Sequence, residues 1–130
     1  MKIQPNLKYA TTDEWVLVKG NIATLGVSDY AQEQLSDIVF VEINAGVGES
    51  IKKNATIATV ESVKAAADVN SPVSGKVVEI NETLSNTPEV VNSDPFGTAW
   101  MVKIDLSNPA ELDSLMDAKA YEKYCSERSH

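Results

Sequence analysis

The chain is nearly without histidine and cysteine. Its one histidine, His130, is the last residue, and its one cysteine is Cys125. A histidine at a chain end is expected to fray. Its position removes a Ser/His/Asp triad, a Cys/His pair and a histidine-built metal site. One cysteine forms no internal disulfide, so a reducing compartment is expected. Without a neighbouring histidine its thiol reads as structural rather than nucleophilic. No apolar run approaches the roughly 18 residues of a membrane helix, so no membrane partner is expected. Met1 to Pro5 holds neither an apolar signal core nor an arginine-rich amphipathic leader. The protein is therefore expected to stay where it is made, or to have a transit peptide lying outside this sequence. Basic clusters are also missing: Lys52-Lys53 is the only basic doublet in a chain of net charge −8. Nucleic acid, which is bound by grouped Lys and Arg facing phosphates, is excluded as an expected partner. Gly46-Val47-Gly48 lacks the third glycine and following helix of a dinucleotide loop. Asp13 and Glu14 are adjacent, and neighbours on a strand point to opposite sides, so they make no facing acid pair.

What is present is a chain of 130 residues, 43% apolar, long enough for one domain (1–130) with a real core. Most of it reads as short strands broken by turn residues. Trp15–Lys19 and Ile22–Gly26 flank Gly20-Asn21, a two-residue hairpin signal. Ile38–Ile43 is dense in β-branched and aromatic residues. Thr56–Glu61, Ala66–Asn70 and Gly75–Ile80 follow, with Asn44–Ser50 as a loop and Ser71-Pro72 as a break. Two helices interrupt the strands. Ser28 reads as an N-cap, with Tyr30, Ala31, Leu35 and Ile38 at helical spacing. Asn108-Pro109-Ala110-Glu111 opens a C-terminal helix of about 109–124, with Leu112, Leu115, Met116 and Tyr124 on its apolar face. Val41-Glu42-Ile43-Asn44 recurs as Val78-Glu79-Ile80-Asn81, each copy ending a strand. The expected fold is mainly β, a sandwich or barrel of two similar halves.

One lysine stands out. Lys64 lies between the apolar runs Thr56–Val60 and Ala65–Val69, hence at or beside the turn of the hairpin about 56–70. A hairpin tip is exposed and within reach of another protein's active site. Lysine is a target for acylation, which turns its ammonium into a neutral amide.

The residues around Lys64 carry a resemblance. Glu61-Ser62-Val63-Lys64-Ala65, then Asp68 and Ser71-Pro72-Val73-Ser74-Gly75, resemble the lipoyl-attachment region of the glycine cleavage system H proteins. Tyr30 to Glu42 is similar to that family's helix and following strand. Val91-Asn92-Ser93-Asp94-Pro95-Phe96-Gly97, with Trp100-Met101-Val102-Lys103-Ile104, is similar to its late loop and last strand, and Leu7-Lys8-Tyr9 with Glu14-Trp15-Val16 to its beginning. The resemblance runs from about Leu7 to about Tyr124. It implies a lipoyl/biotinyl-type barrel-sandwich hybrid, and lipoic acid in amide linkage to Lys64. It also implies a monomeric carrier with no catalysis of its own, soluble in a mitochondrial matrix or a bacterial cytoplasm. The implied partners are a pyridoxal-phosphate glycine decarboxylase, a tetrahydrofolate-dependent aminomethyltransferase, an FAD-dependent dihydrolipoamide dehydrogenase, and a lipoate ligase or lipoyl/octanoyl transferase. By family position Glu14, Asp68 and Thr12 would form the pocket that shelters the arm. The chain departs from the family at Asp13, where a histidine is usual. The extra carboxylate either strengthens attraction for an ammonium or is simply solvated.

Other readings stay open. A biotin carrier predicts methionines beside the lysine, where this chain has Val63 and Ala65. A relay that donates lipoyl groups to other lipoyl domains would use the same lysine and fold. A purely structural β domain would leave Lys64 unmodified.

Overall fold

Gly20 adopts φ +61, the left-handed backbone a tight turn needs and glycine supplies without steric cost. It joins two strands of one antiparallel hairpin, Glu14–Lys19 and Ile22–Val27, with Glu14 opposite Val27 and Lys19 opposite Ile22. The computed structural model describes residues 2–128, so His130 lies outside the described residues. In chain order the strands are β1 (Lys8–Tyr9), β2 (Glu14–Lys19), β3 (Ile22–Val27), β4 (Ile38–Ile43), β5 (Ser50–Ile51), β6 (Thr56–Ser62), β7 (Ala66–Asn70), β8 (Gly75–Ile80) and β9 (Val102–Leu106). The helices are α1 (Asp29–Leu35), α2 (Val90–Ser93) and α3 (Ala118–Arg128), with 3₁₀ turns at Glu82–Ser85 and Pro109–Ser114.

Two antiparallel sheets result. The larger has the order β1-β2-β3-β9-β8-β5 and the smaller β4-β6-β7. Side chains that alternate inward from both sheets form the main core: Val16, Leu25, Val77 and Ile104 from the large sheet against Ile38, Val41, Val60 and Val69 from the small one. The fold is thus the mainly β sandwich expected. The repeated tetrapeptide plays one main-chain part twice. Asn44 ends β4 and donates its N–H to Ile57 (2.8 Å); Asn81 ends β8 and donates to Met101 (2.9 Å). The side chains differ, since Asn44 is exposed and Asn81 is buried with its amide held by the Thr98 and Trp100 carbonyls.

A second, aromatic cluster of Leu7, Tyr9, Trp15, Tyr30, Tyr121 and Cys125 lies apart from the main core. Tyr9 and Tyr121 stack with centroids 4.4 Å apart and planes 2° from parallel, which fixes α3 to the sheet. Gly26 belongs to the same arrangement: a Cβ there would come within 2.7 Å of the Trp15 indole, so only glycine lets that ring lie flat across the strand.

The helices correct two expectations. Ser28 does cap α1, its Oγ accepting from the Ala31 N–H (3.2 Å). Ile38, however, is not the helix's last apolar position. Ser36 turns to φ +70, and Ile38 starts β4 with its N–H on the Asn92 side chain. The C-terminal helix does not run from 109 to 124. Pro109–Ser114 is a 3₁₀ turn, and the chain then extends so that Tyr9 and Met116 exchange two 2.8 Å backbone hydrogen bonds. Asp117 then takes the Ala120 N–H at the start of α3. Glu111 serves no capping box: its carboxylate accepts from the N–H and hydroxyl of Ser74. The expected apolar face is accordingly split. Leu112 and Leu115 pack on the main core, whereas Met116 and Tyr124 pack on the aromatic cluster. No helix among the described residues is long and apolar enough to cross a membrane.

Candidate functional site

The β6–β7 hairpin turns at Val63-Lys64, with Ser62 and Ala65 closing it. Ser62 braces the turn locally. Its hydroxyl accepts from the N–H groups of Lys64 (3.2 Å) and Ala65 (3.0 Å) and donates to the Ala65 carbonyl (3.1 Å). The Val63 N–H donates to the Asp37 carbonyl (3.1 Å), which ties the tip to the loop before β4. This is the side-chain-to-backbone bonding by which serine favours turns. Lys64 is exposed, and its ammonium meets no hydrogen-bond or ion-pair partner among the described residues. Lys64 therefore presents a free amine on a fixed backbone.

From this tip β7 runs back into the fold. Four residues on, about 13 Å at strand rise, Asp68 stands at the edge of a cavity of about 200 Å³. The cavity forms where the two sheets meet: Thr12 and Asp13 come from the turn before β2 and Glu14 from its first position, Val60, Asp68 and Val69 from β6 and β7, and Ala31, Gln34 and Leu35 of α1 close it over. The three residues expected to shelter an arm, Thr12, Glu14 and Asp68, thus line one space. Its walls are mostly apolar and its polar groups converge, which is the usual build of a small-ligand site.

Glu14 is the unusual member, only 3% exposed. One carboxylate oxygen accepts the Thr12 hydroxyl in a short hydrogen bond, and the other takes the Asn70 N–H at 3.4 Å. Burial pushes its carboxyl up from 4.5 to about 7, against these two bonds, which favour the charged form; the neighbouring Asp13 charge adds to the rise. A carboxyl poised there takes on charge readily when a cation arrives.

Asp13 is neither a free attractor nor solvated. It sits at φ +77, its carboxylate pairs with Arg128, and it accepts the Tyr121 hydroxyl at 2.8 Å. Burial raises the Tyr121 phenol well above its ordinary value, so it remains a donor. Asp13 and Glu14 do point apart, one toward α3 and one toward β7, but strand alternation is not the cause: Asp13 lies in the bend before β2, with left-handed backbone. Sequence reasoning missed Arg128, Tyr121 and the α1 wall of the cavity. The signal available for Arg128 was that it is the chain's single arginine.

Comparison with known proteins gives this geometry its setting. A model of the glycine cleavage H-protein family matches residues 7–128. The chain is 51% identical over 121 residues to the mitochondrial glycine cleavage system H protein of Flaveria pringlei, covering 93% of this chain and 74% of that one. It is 49% identical over 128 residues to the glycine cleavage system H protein of Carboxydothermus hydrogenoformans, covering 98% of each. The crystal structure of a glycine cleavage system H protein from Mycobacterium marinum is similar at a TM-score of 0.83 and 26% identity, over 98% of this chain and all of that one. The match spans the hairpin, the cavity and the C-terminal helix together, and this chain belongs to the glycine cleavage H-protein family.

Proposed function

We propose that Lys64 is the lipoyl attachment residue and that the chain is the carrier of a glycine cleavage system, one domain over 1–130 acting as a monomer without catalysis of its own. The observation that carries this reading is the pairing of a free amine on a braced tip with a carboxyl-lined cavity along the same strand. Lipoate in amide linkage supplies a disulfide that accepts an aminomethyl group and two electrons. The chain's own residues do the rest. Ser62 holds the turn, so a lipoate ligase or lipoyl/octanoyl transferase meets one fixed lysine, and little ordering is needed on docking. Glu14, with Thr12 and Asp68 beside it, gives a cationic cargo a counter-charge in a partly dry space, where an unpaired ammonium would be costly. The apolar wall of Val27, Leu35 and Val60 limits water. Tethering gives the cargo a high effective concentration for each partner in turn. The partners are a glycine decarboxylase using pyridoxal phosphate, a tetrahydrofolate-dependent aminomethyltransferase, and dihydrolipoamide dehydrogenase. The compartment is the mitochondrial matrix for a eukaryotic mature form, or the cytoplasm for a bacterial one.

Peptide mass spectrometry after treatment with a lipoate ligase tests the attachment: one lipoyl group on Lys64 is expected, and modification of Lys52, Lys53 or Lys76 instead would overturn it. Purified decarboxylase and transferase test the carrier role. Lys64→Arg should fold as wild type and support no glycine-dependent transfer. Lipoylated wild type that also supports none would overturn it.

A further inference from the structure

The last turn of α3 reaches the cavity from behind. Arg128 forms an ion pair with Asp13, and its guanidinium lies between two rings, 4.1 Å from the centroid of Tyr30 and 4.3 Å from that of Tyr124. Tyr30 belongs to α1, the helix whose Ala31, Gln34 and Leu35 close the cavity. The Tyr121 hydroxyl joins the same network, bonded to Asp13 and at 2.5 Å from the Ser28 hydroxyl that caps α1. One arginine thus ties together the turn bearing Thr12 and Asp13, the capping end of α1, and α3. A stacked guanidinium with a carboxylate partner is a use for which lysine is no substitute.

Three carboxylates line the cavity, and they are not equivalent. Asp13 is engaged by Arg128, Asp68 is exposed at the mouth, and Glu14 is buried with its acceptors held by Thr12 and Asn70. We propose that Arg128 is a positioning residue of the cavity: by occupying the Asp13 carboxylate it leaves Glu14 as the inner carboxylate that meets a cationic group. This rests on the reading of the cavity as the place where the cargo is sheltered. Without Arg128 the cavity would hold two adjacent buried-side negative charges. The unbalanced Asp13 charge would then disfavour ionisation of Glu14. The groups that face Glu14 are Asp13 and Thr12 from its own turn and Asp68 and the Asn70 N–H from β7. From α1 the lining side chains are uncharged, and Arg128 and Tyr121 of α3 act through Asp13.

The test is the titration of the Glu14 carboxyl by carbon-detected NMR in the unlipoylated full chain. Arg128→Gln should raise the midpoint by on the order of half a pH unit, and Asp13→Asn, which leaves the arginine unpaired, should lower it by a similar amount. The double variant should return it near the wild-type value. A merely structural role for Arg128 moves the midpoint in the same direction in both single variants, or not at all, and either result overturns the proposal. Where Arg128→Gln does not fold, an unmoved midpoint in Asp13→Asn overturns it equally. The lipoylated, loaded protein separates this from the reading beneath it. If wild type and Glu14→Ala lose ammonia and formaldehyde at equal rates, the cavity does not shelter the cargo, and the proposal falls even with the titration pattern intact. If the rates differ but the titration pattern is absent, the sheltering role stands and Arg128 has no part in it.

Discussion

Replacing Glu14 by Gln should make the protein gain stability relative to wild type as pH rises from acid through neutrality. The folded carboxyl titrates at about 7 against 4.5 for an unperturbed group. The folded state therefore binds the extra proton between these two values, and the unfolded state releases it. With the folded value raised, the stabilisation is fully present below 4.5 and is lost as pH rises through 7. Each tenfold difference in proton affinity between the two states is worth about 1.4 kcal/mol, so the whole window amounts to about 3 kcal/mol. Burial at 3% exposure means little solvent screening reduces it. Glutamine has the shape of the protonated acid and does not titrate. The Thr12 hydroxyl and Asn70 N–H, which now bond carboxylate oxygens, would meet one amide oxygen and one amide nitrogen. That mismatch contributes a constant offset, because neither group changes charge across the range.

The assay is urea unfolding of unlipoylated wild type and Glu14→Gln at half-unit steps from about pH 4.5 to about pH 8.5, followed by far-ultraviolet circular dichroism. Every other titrating group is common to both proteins, so the difference between the two curves isolates residue 14. The variant should gain about 3 kcal/mol relative to wild type between the ends of the range, which is about 10 °C in Tm for a chain of this size. Half of the change should be complete near about pH 6. A difference that stays constant with pH would mean that Glu14 is ionised in the fold at an ordinary value, and the account of the cavity's electrostatics would be wrong.

Exchanging Val63 and Lys64, so that lysine stands one position earlier, should abolish lipoylation by a purified ligase, since a one-residue shift on a hairpin turns the amine to another side; efficient modification would show that the enzyme does not read the tip's geometry. Ser62→Ala removes the oxygen that accepts the Lys64 and Ala65 N–H groups. At about 1 kcal/mol for such bonding, the lipoylation kcat/KM should fall about fivefold, and an unchanged value would show that Ser62 does not set the lysine's presentation. Glu14→Ala should accept lipoate normally yet lose its cargo faster. A charge-assisted contact of about 1.5–3 kcal/mol corresponds to a tenfold or greater shortening, read as formaldehyde release with no transferase present. Thr12→Val deletes a bond that favours the charged carboxyl, so the Glu14 midpoint seen by NMR should move further upward, and a downward move would contradict the assigned donor.

The strands are readable because each carries its own local signal. Gly20-Asn21 supplies a two-residue turn, and Ile38–Ile43 is dense in β-branched residues, so both boundaries can be placed without knowledge of neighbours. Lys64 is readable for the same reason: the turn it occupies is specified within the hairpin by Ser62 and the flanking apolar runs. The C-terminal helix is misplaced by sequence reasoning because its start depends on a distant partner. Nothing between Asn108 and Met116 announces that the Met116 backbone will pair with Tyr9 or that Glu111 will bond Ser74, and with these contacts the chain leaves the 3₁₀ turn extended. Propensity and spacing are local, and a long-range bridge overrides them.

Asp13 makes the same point for the site. In the sequence it stands beside Glu14, and the two look like a matched acidic pair available to a cation. Their chemistry diverges through residues far along the chain. Arg128 takes the charge of Asp13, while Thr12 and the Asn70 N–H hold Glu14 in a space too dry to keep it fully ionised at neutral pH. The aspartate and the arginine therefore act as one charge-balanced unit, with Tyr30 and Tyr124 clamping the guanidinium. On that view the cavity keeps a single inner carboxylate by balancing the adjacent acid from the opposite end of the chain, and variants at 13 and 128 should be compensating rather than additive.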